Sequence, residues 1–126
     1  MTGDGSFAMD MAEFVTAADH GIPLTVILLN NGVLGMVRQW QSLFYDRRYA
    51  ATSLAGRKTD YVALARAFGA EGQRAETLDE LRQALEAAAE AEGAFLIDCR
   101  IDEDELVLPM MAPGGSLADV IDKVGE

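Results

Sequence analysis

A run of apolar residues over 24–29 constrains the fold of this chain more than any other feature. The run reads Leu-Thr-Val-Ile-Leu-Leu, so one of its six side chains is polar, and Asn30-Asn31-Gly32 ends it. This composition is typical of a strand that is covered on both faces in a parallel sheet. The chain is therefore expected to place helices on both faces of such a sheet.

Helical and strand patterns alternate on either side of this run. A polar loop over 46–58 is expected to be the most mobile part of the chain. The predicted helices are 6–19, capped by Ser6; about 35–45; one capped by Thr59 or Asp60 and closed by Gly69; and one from a capping box at Thr77 to Gly93, with the apolar stripe Leu78, Leu81, Leu85 and Ala88. With a further strand over 94–101, this order predicts an α/β fold with a parallel sheet and helices on both faces.

The loop Gly3-Asp4-Gly5 begins two residues after Met1, although a ligand loop in a doubly wound sheet normally follows a strand. We find no strand before this loop in the sequence and therefore expect a domain that is truncated on its N-terminal side. A sheet without this strand would expose an edge or an apolar patch. Self-association or poor solubility is the expected consequence.

Length and charge limit the classes of function. The 126 residues (13.6 kDa) suffice for one domain, taken as 1–126, and 50% of them are hydrophobic, as in a globular protein with a packed core. The 21 acidic and 10 basic residues give a formal charge of −11, which disfavours nucleic acid and anionic membranes as partners. Residues 1–60 carry six acids and five bases, so an anionic ligand would bind in this nearly neutral half.

The cysteine content and the absence of long apolar spans indicate a cellular location. Cys99 is the single cysteine and lies in an apolar run, which is typical of a buried thiol in a reducing compartment. No stretch has the length of a transmembrane helix, and the N-terminus lacks the pattern of a signal peptide. We expect a cytoplasmic protein without a membrane anchor.

The segment Gly3-Asp4-Gly5-Ser6 opens the first predicted helix. Backbone N–H groups at a helix N-terminus suit a phosphate group, and glycines let the phosphate approach the backbone closely. A carboxylate beside a phosphate, here that of Asp4, is typical of a site in which a divalent cation bridges the two. The tripeptide alone is a weak signal, because ordinary turns use it too.

A second polar pair, Asn30-Asn31, follows Gly5 after 24 residues that consist of helix, turn and buried strand. Such a unit returns the chain to the same edge of the sheet, where the ligands of α/β proteins bind. Asp4 and Asn31 are therefore expected to meet at one ion. A carboxylate and an amide oxygen, completed by phosphate and water, suit Mg²⁺. The alternative for the asparagines is a turn that ends a strand.

The combination of Gly-Asp-Gly, 24 residues and Asn-Asn resembles the motif of thiamine diphosphate enzymes. More narrowly, the chain resembles the C-terminal thiamine-diphosphate-binding domain of the large catalytic subunit of acetolactate synthase, also called acetohydroxyacid synthase. The resemblance covers nearly the whole chain. The segments that carry it are Gly3–Phe7, Leu28–Asn31, Leu34–Gln41, Phe44-Tyr45, Val107–Met110 and Pro113–Gly115.

The resemblance implies a set of site residues. The implied Mg²⁺ ligands are the side chains of Asp4 and Asn31 and the main-chain carbonyl of Val33. The implied cofactor contacts are Gly3, Gly5 and Ser6 at the diphosphate, and Gly35 and Met36 beside the thiamine ring. Trp40 would line the pocket of the acceptor keto acid. For Met36 and Trp40 the alternative is a core role, since both have helical spacing with Leu43.

The activity implied by the resemblance is the condensation of pyruvate, after its decarboxylation, with a second 2-keto acid. The product is acetolactate or acetohydroxybutyrate, in branched-chain amino acid biosynthesis. The implied cofactors are thiamine diphosphate and Mg²⁺, while the FAD of the family binds to a middle domain that this sequence does not contain. In the family, the glutamate that polarises the aminopyrimidine comes from an N-terminal domain of the neighbouring subunit, and Glu13 is not its counterpart.

We therefore name no catalytic residue in this chain and expect that it is inactive without the remaining domains. The implied partners are 2-keto acid substrates, a homodimer or complementing N-terminal domains, and a small regulatory subunit. Two alternatives stay open: another thiamine-diphosphate-dependent decarboxylase or carboligase, and a non-catalytic binding or assembly module. Of the remaining features, His20 is expected to cap a helix end, and the acidic run 102–105 to form a solvated turn.

Overall fold

The structure, a computed structural model, describes residues 1–123, so the last three residues of the predicted domain 1–126 lie outside it. Its centre is a sheet of four parallel strands. The strands are β1 (Thr2–Gly3), β2 (Thr25–Asn30), β3 (Glu71–Ala75) and β4 (Phe95–Arg100), and the helices are α1 (Asp4–Asp10), α2 (Ala12–Asp19), α3 (Gly35–Phe44), α4 (Tyr61–Ala67) and α5 (Leu78–Glu90). The order across the sheet is β1-β2-β4-β3.

Both faces of the sheet are covered, as the sequence predicts. On one face, Leu28 and Leu96 pack against α1, α2 and α4, whose buried residues include Phe7, Phe14 and Tyr61. On the other face, the buried side chains of β4 pack against α5, and Ala84 and Ala88 are the buried residues of that helix. Each fully buried large apolar side chain contributes roughly 1.5–3 kcal/mol. The predicted α/β class with a parallel sheet is therefore confirmed.

The first helix begins earlier than predicted. Its N-cap is Gly3, which is extended (φ −84°, ψ 159°), whereas Ser6 was predicted at this position and instead lies exposed within the first turn. No side chain caps this N-terminus. The predicted single helix over 6–19 is also divided at Met11, between α1 and α2. The start at Asp4 places the N–H groups of this turn directly at the end of β1.

The caps of α4 and α5 agree with the sequence, and the apolar stripe of α5 agrees at Leu81 and Ala88 but not at Leu78 and Leu85. Asp60 caps α4 by accepting hydrogen bonds from the N–H groups of its first turn, and Thr77 forms the predicted capping box. Leu78 and Leu85, predicted to face the core, are 81% and 41% exposed. The buried residues of the helix are Ala84 and Ala88, and the partly buried Leu81 packs against the same cluster. It ends at Glu90, before Gly93.

Two strands of the central sheet were not predicted from the sequence. The strand expected to be absent before the Gly3 loop is present as β1, whose two residues pair with Leu28 and Leu29. The edge strand β3 escaped notice because its sequence is polar, and its buried positions are the small residues Gly72 and Ala75. Periodicity arguments depend on large apolar residues, so such a strand gives no signal.

The C-terminal segment returns to α3 after β4. The buried amide of Gln39 donates to the carbonyl of Val107 (3.0 Å) and accepts from its N–H group (2.8 Å), which fixes this segment on the helix. A small antiparallel pair follows, formed by β5 (Met110–Met111) and β6 (Val120–Ile121). None of the helices in residues 1–123 combines the length and apolar character that crossing a bilayer requires.

The predicted exposed edge is present beside β1. Because β1 pairs only with Leu28 and Leu29, the first half of β2 has no neighbour on that side within residues 1–123. Ile22 and Leu24, which lead into this half, are 48% and 42% exposed. An unpaired edge next to apolar side chains favours pairing with another chain. We therefore expect the isolated chain to sediment as a dimer or larger species, and a concentration-independent monomer in analytical ultracentrifugation would contradict this.

Candidate metal and cofactor site

The parallel register of β1 and β2 brings the two polar loops together. Gly3 pairs with Leu29, so the residues that follow them, Asp4 at the start of α1 and Asn30 at the end of β2, are neighbours at this edge of the sheet. Adjacent strands are about 4.8 Å apart. A Cβ built on Gly5 would lie 3.1 Å from the side chain of Leu34, which confirms that the two loops are in contact. Both loops follow the carboxyl ends of their strands, where α/β folds bind ligands.

The Asp4 carboxylate is largely shielded from solvent. Its side chain belongs to a residue that is 4% exposed, and burial raises the pKa of the Asp4 carboxyl above its usual range. The N–H groups of Gly5 and of Asp4 itself, together with the charges of Arg57 and Arg100, act in the opposite direction. None of the salt bridges formed within residues 1–123 includes Asp4. A buried carboxylate without such a partner is suited to a cation.

The loop after β2 presents oxygen atoms towards the same edge. The side-chain oxygen of Asn31 accepts a hydrogen bond from the N–H group of Val33 (3.2 Å), which closes a tight turn. Val33 faces Ser53 in an antiparallel bridge that uses the carbonyl of Gly32 and the N–H group of Leu34. This pattern leaves the carbonyl of Val33 outside the pairing.

Gly35 controls the orientation of Asn31. A Cβ built on Gly35 would lie 2.9 Å from the side-chain nitrogen of Asn31, a distance that real Cβ atoms essentially never show. The nitrogen therefore packs on the bare backbone of Gly35, and the oxygen is directed to the turn. Gly35 acts on the site through this contact.

The donor set fits a hard cation that also binds phosphate. In the part of the chain that the structure describes, no three His, Cys, Asp or Glu side chains form a cluster that could hold a metal. The site offers instead one carboxylate, one amide oxygen and one main-chain carbonyl, from Asp4, Asn31 and Val33. Mg²⁺ uses few protein oxygens and fills its octahedron with phosphate oxygens and water. The residues present therefore fit Mg²⁺ with a phosphorylated ligand.

The first turn of α1 adds hydrogen-bond donors at this place. The N–H groups of Gly5 and Ser6 belong to the first four residues of the helix, which have no carbonyl partner within the helix. The hydroxyl of Tyr61 donates to the main-chain carbonyl of Asp4 (3.2 Å) and so anchors the loop from below. Donors of this kind, next to a cation, suit a diphosphate.

Helix α3 presents the remaining predicted site residues. Met36 is 49% exposed, so the alternative of a core role is wrong for this residue. Trp40 is half-buried and packs edge-to-face on Phe44, with ring centroids 5.9 Å apart. The side chain at Met36 is therefore free to meet a ligand, and that of Trp40 is held in place by an aromatic neighbour.

Three other features carry no ligand chemistry in this structure. The acidic run 102–105 is an exposed turn, as predicted, and Glu103 and Asp104 pair with Arg38 at 2.9 and 2.7 Å. The Arg38 guanidinium holds the pKa of the Asp104 carboxyl below its usual range. His20 is the C-cap residue of α2, where it was expected, and Glu13 is exposed on the same helix.

Sequence reasoning missed one charged residue beneath the site. Asp98 lies in the centre of β4 and is completely buried, and it accepts a hydrogen bond from the side-chain nitrogen of Asn30 (2.8 Å). Arg74 and Arg100 provide its positive partners, at 3.2 and 3.5 Å. The available signal was an acid inside the apolar run 94–99, at a position that a buried strand reserves for apolar residues.

Replacing Gly35 with alanine is expected to weaken magnesium-dependent cofactor binding about 10-fold, a loss typical of residues that orient metal ligands. The added methyl group would lie 2.9 Å from the Asn31 side-chain nitrogen, so the Asn31 side chain would have to turn away from its present orientation. The measurement is the Mg²⁺ concentration at half-maximal binding of thiamine diphosphate. The control is Gly56→Ala, where nothing lies within 4 Å of the added Cβ. Equal binding by both variants would show that Asn31 does not need this orientation.

Comparison with known proteins agrees with this geometry. Residues 1–99 match the family model described as "Thiamine pyrophosphate enzyme, C-terminal TPP binding domain". The chain belongs to this family. The resemblance on which the sequence analysis depended is thereby confirmed.

Curated relatives at 37–41% identity are acetolactate synthases. Identity is 40% over 124 residues with the acetolactate synthase isozyme 2 large subunit of Escherichia coli (strain K12), covering 98% of this chain and 22% of that protein. It is 41% with the acetolactate synthase of Arthrospira platensis, covering 96% and 21%. A probable acetolactate synthase large subunit of Methanococcus aeolicus is 37% identical, covering 100% and 21%. The chain thus spans about a fifth of the length of these relatives.

Solved structures support the same fold. The thiamine diphosphate-dependent 4-hydroxybenzoylformate decarboxylase of Rhodococcus jostii RHA1 superposes with a TM-score of 0.72 at 28% identity, over 79% of this chain and 19% of that one. The benzoylformate decarboxylase of Polynucleobacter necessarius gives a TM-score of 0.75 at 28% identity, over 84% and 20%. The family fold is therefore shared by enzymes of different substrate classes.

Proposed function

We propose that this chain forms the magnesium and thiamine diphosphate half-site of an acetolactate synthase. The observation that carries the proposal is the register of β1 and β2, which sets the buried carboxylate of Asp4 beside the Asn30-Asn31 turn. Identities of 37–41% to acetolactate synthases support the choice within the family. The whole chain, 1–126, is proposed to be the C-terminal part of the cofactor-binding domain.

Each site residue has a proposed task. Asp4 and Asn31 would hold Mg²⁺ through their side chains, and Val33 would hold it through its carbonyl. The N–H groups of Gly5 and Ser6 would bind the diphosphate, with Gly3 giving the close approach. Gly35 and Met36 would lie beside the thiamine ring, and Trp40 would line the pocket of the acceptor. Thiamine diphosphate, when bound, supplies the nucleophilic carbon and the electron sink for decarboxylation and carbon–carbon bond formation.

The proposed role of this chain's residues is to position and orient the cation and the cofactor. We assign none of them as an acid or base of the reaction. The carboxylate, amide and carbonyl oxygens fix the cation, and the cation and the helix N-terminus together fix the diphosphate. The shape of the pocket that Trp40 lines would then determine which keto acid is accepted. We propose that complementing N-terminal domains, in a dimer, provide the acid that activates the cofactor, and that FAD and a small regulatory subunit belong to that complete assembly.

The proposed setting is the cytoplasm, with pyruvate and a second 2-keto acid as substrates in branched-chain amino acid biosynthesis. Support for a reducing compartment is the buried thiol of Cys99, the only cysteine of the chain. Burial, with a smaller effect of Asp98, raises the pKa of this thiol, which keeps it protonated and unreactive.

A titration calorimetry experiment tests the proposal. The chain is titrated with thiamine diphosphate in the presence of Mg²⁺ and again with excess EDTA. We expect binding only when Mg²⁺ is present, and release of carbon dioxide from pyruvate only after the complementing domains are added. Absence of Mg²⁺-dependent binding would overturn the half-site. Binding without any turnover in the complete assembly would instead favour a non-catalytic module.

A second candidate function is a decarboxylase, favoured by the structural likeness to two benzoylformate-type decarboxylases. Product analysis separates the two. An acetolactate synthase converts pyruvate into acetolactate, whereas a decarboxylase releases the aldehyde. Trp40 and Gln41 on α3 favour the acetolactate synthase, because both belong to a segment that resembles that family.

A further inference from the structure

We propose that Asp98 is a positioning residue that holds the Asn30-Asn31 turn in its metal-binding conformation. The proposal rests on the proposed function of this turn and concerns a residue to which that function gives no role. The observation behind it is a buried hydrogen bond, 2.8 Å long, from the side-chain nitrogen of Asn30 to Asp98. Asn30 is the residue directly before Asn31, so this bond fixes the start of the turn.

The surroundings of Asp98 show why a charge is retained in the middle of β4. The residue is 0% exposed, and a buried carboxylate is costly unless it is paired and hydrogen-bonded. One oxygen accepts from Asn30, and the other lies 3.2 Å from Arg74 and 3.5 Å from Arg100. Both carboxylate oxygens of Asp98 therefore have partners. Of its three contacts, the one to Asn30 orients a side chain at the edge of the proposed site. An apolar residue would fill the same space without orienting Asn30.

The N-terminus of α4 extends this support to both loops. Arg74 also reaches Asp60, the N-cap of α4, at 3.4 Å, so that Asp98 is connected to the helix end. The next residue, Tyr61, donates its hydroxyl hydrogen to the main-chain carbonyl of Asp4 at 3.2 Å. One helix end thus braces the Asp4 loop directly and the Asn31 loop through Arg74 and Asp98. The two proposed side-chain ligands of the cation share a single structural support.

Replacing Asp98 with asparagine keeps its shape but places an amide against Arg74 or Asn30, so that one of the bonds is lost. The full chain is used, and the probes are Mg²⁺ and thiamine diphosphate. We expect the Mg²⁺ concentration at half-maximal cofactor binding to rise about 10-fold, within the range found for groups that orient metal ligands. Amide hydrogen exchange at Val33, whose N–H group bonds to the Asn31 side chain, is expected to become faster.

A matched control separates positioning from general loss of stability. Leu96→Val removes packing from the same strand and the same face, where Leu96 is completely buried, but leaves every polar contact of Asp98 intact. At a temperature at which all variants are folded, this control should change neither the Mg²⁺ midpoint nor the exchange at Val33. Equal shifts in Asp98→Asn and Leu96→Val would reduce Asp98 to a structural role and overturn the proposal.

A second variant covers the case in which Asp98→Asn does not fold. Asn30→Ala removes only the bond at the turn and leaves both arginine partners of Asp98 in place. Faster exchange at Val33 in this variant supports the proposal, and unchanged exchange overturns it. If the parent chain itself binds no cofactor with Mg²⁺, the proposed function fails, while the exchange at Val33 still decides whether Asp98 holds the turn.

Discussion

Replacing Asp4 with asparagine is expected to weaken Mg²⁺-dependent binding of thiamine diphosphate by more than about 100-fold, because groups that merely orient metal ligands already contribute 10–100-fold. The substitution keeps the size of the side chain and removes its charge. In the absence of metal, the same variant is expected to unfold at a slightly higher temperature than the parent chain. The reason is that Asp4 is 4% exposed, so that its charge is costly until a cation is bound.

The same substitution is thus expected to weaken cofactor binding and to raise the unfolding temperature of the metal-free chain, and this combination makes the prediction specific. Calorimetric titration measures the loss of binding, and thermal unfolding with and without Mg²⁺ measures the stability. Asp10→Asn is the control, since Asp10 is an exposed acid at the end of the same helix. It should leave cofactor binding unchanged, and any effect on the unfolding temperature should be the same with and without Mg²⁺. If the Asp4 variant bound the cofactor as tightly as the parent chain, the carboxylate would not be a ligand.

Replacing Trp40 with leucine is expected to change the ratio of products from competing acceptor keto acids about 10- to 100-fold, the range over which apolar pocket contacts discriminate substrates. Leucine removes the ring that packs on Phe44 and would widen the proposed acceptor pocket. Binding of Mg²⁺ and thiamine diphosphate should be unaffected, because the proposed cation ligands lie outside α3. The measurement is the ratio of acetolactate to acetohydroxybutyrate formed by the complete assembly.

Phe68→Leu is the matched control for this substitution. Phe68 is a half-buried aromatic residue that packs against the core cluster next to α4. Its replacement should lower stability and leave the product ratio unchanged. An unchanged ratio in the Trp40 variant would show that this residue does not line the acceptor pocket, and the decarboxylase alternative would gain support.

Both side-chain ligands of the proposed metal site were visible in the sequence. Asp4 and Asn31 stood out because glycines and a buried strand surround them, and the topology of an α/β sheet brings the ends of neighbouring parallel strands to one edge. The capping residues Asp60 and Thr77 were equally visible, since capping depends on neighbours in sequence. The family match of residues 1–99 agrees with the resemblance that these residues carry.

Other features were not visible because they depend on which elements become neighbours. The stripe of α5 was wrong at Leu78 and Leu85, because the packing of that helix buries Ala84 and Ala88. The edge strand β3 has almost no apolar pattern and forms because β4 offers it hydrogen bonds. The distance of Gly35 to Asn31 is likewise set by the path of the turn.

By itself, the sequence determined the fold class, the two candidate ligand loops and the caps of α4 and α5, because these follow from patterns over a few residues. Only the tertiary structure decided that Asp98 lies beneath Asn30, with Arg74 as its partner on the neighbouring strand. The physical reason is that a buried charge must find its counter-charges wherever the packed chain places them. Those partners are 24 and 68 residues away and leave no mark on the local sequence.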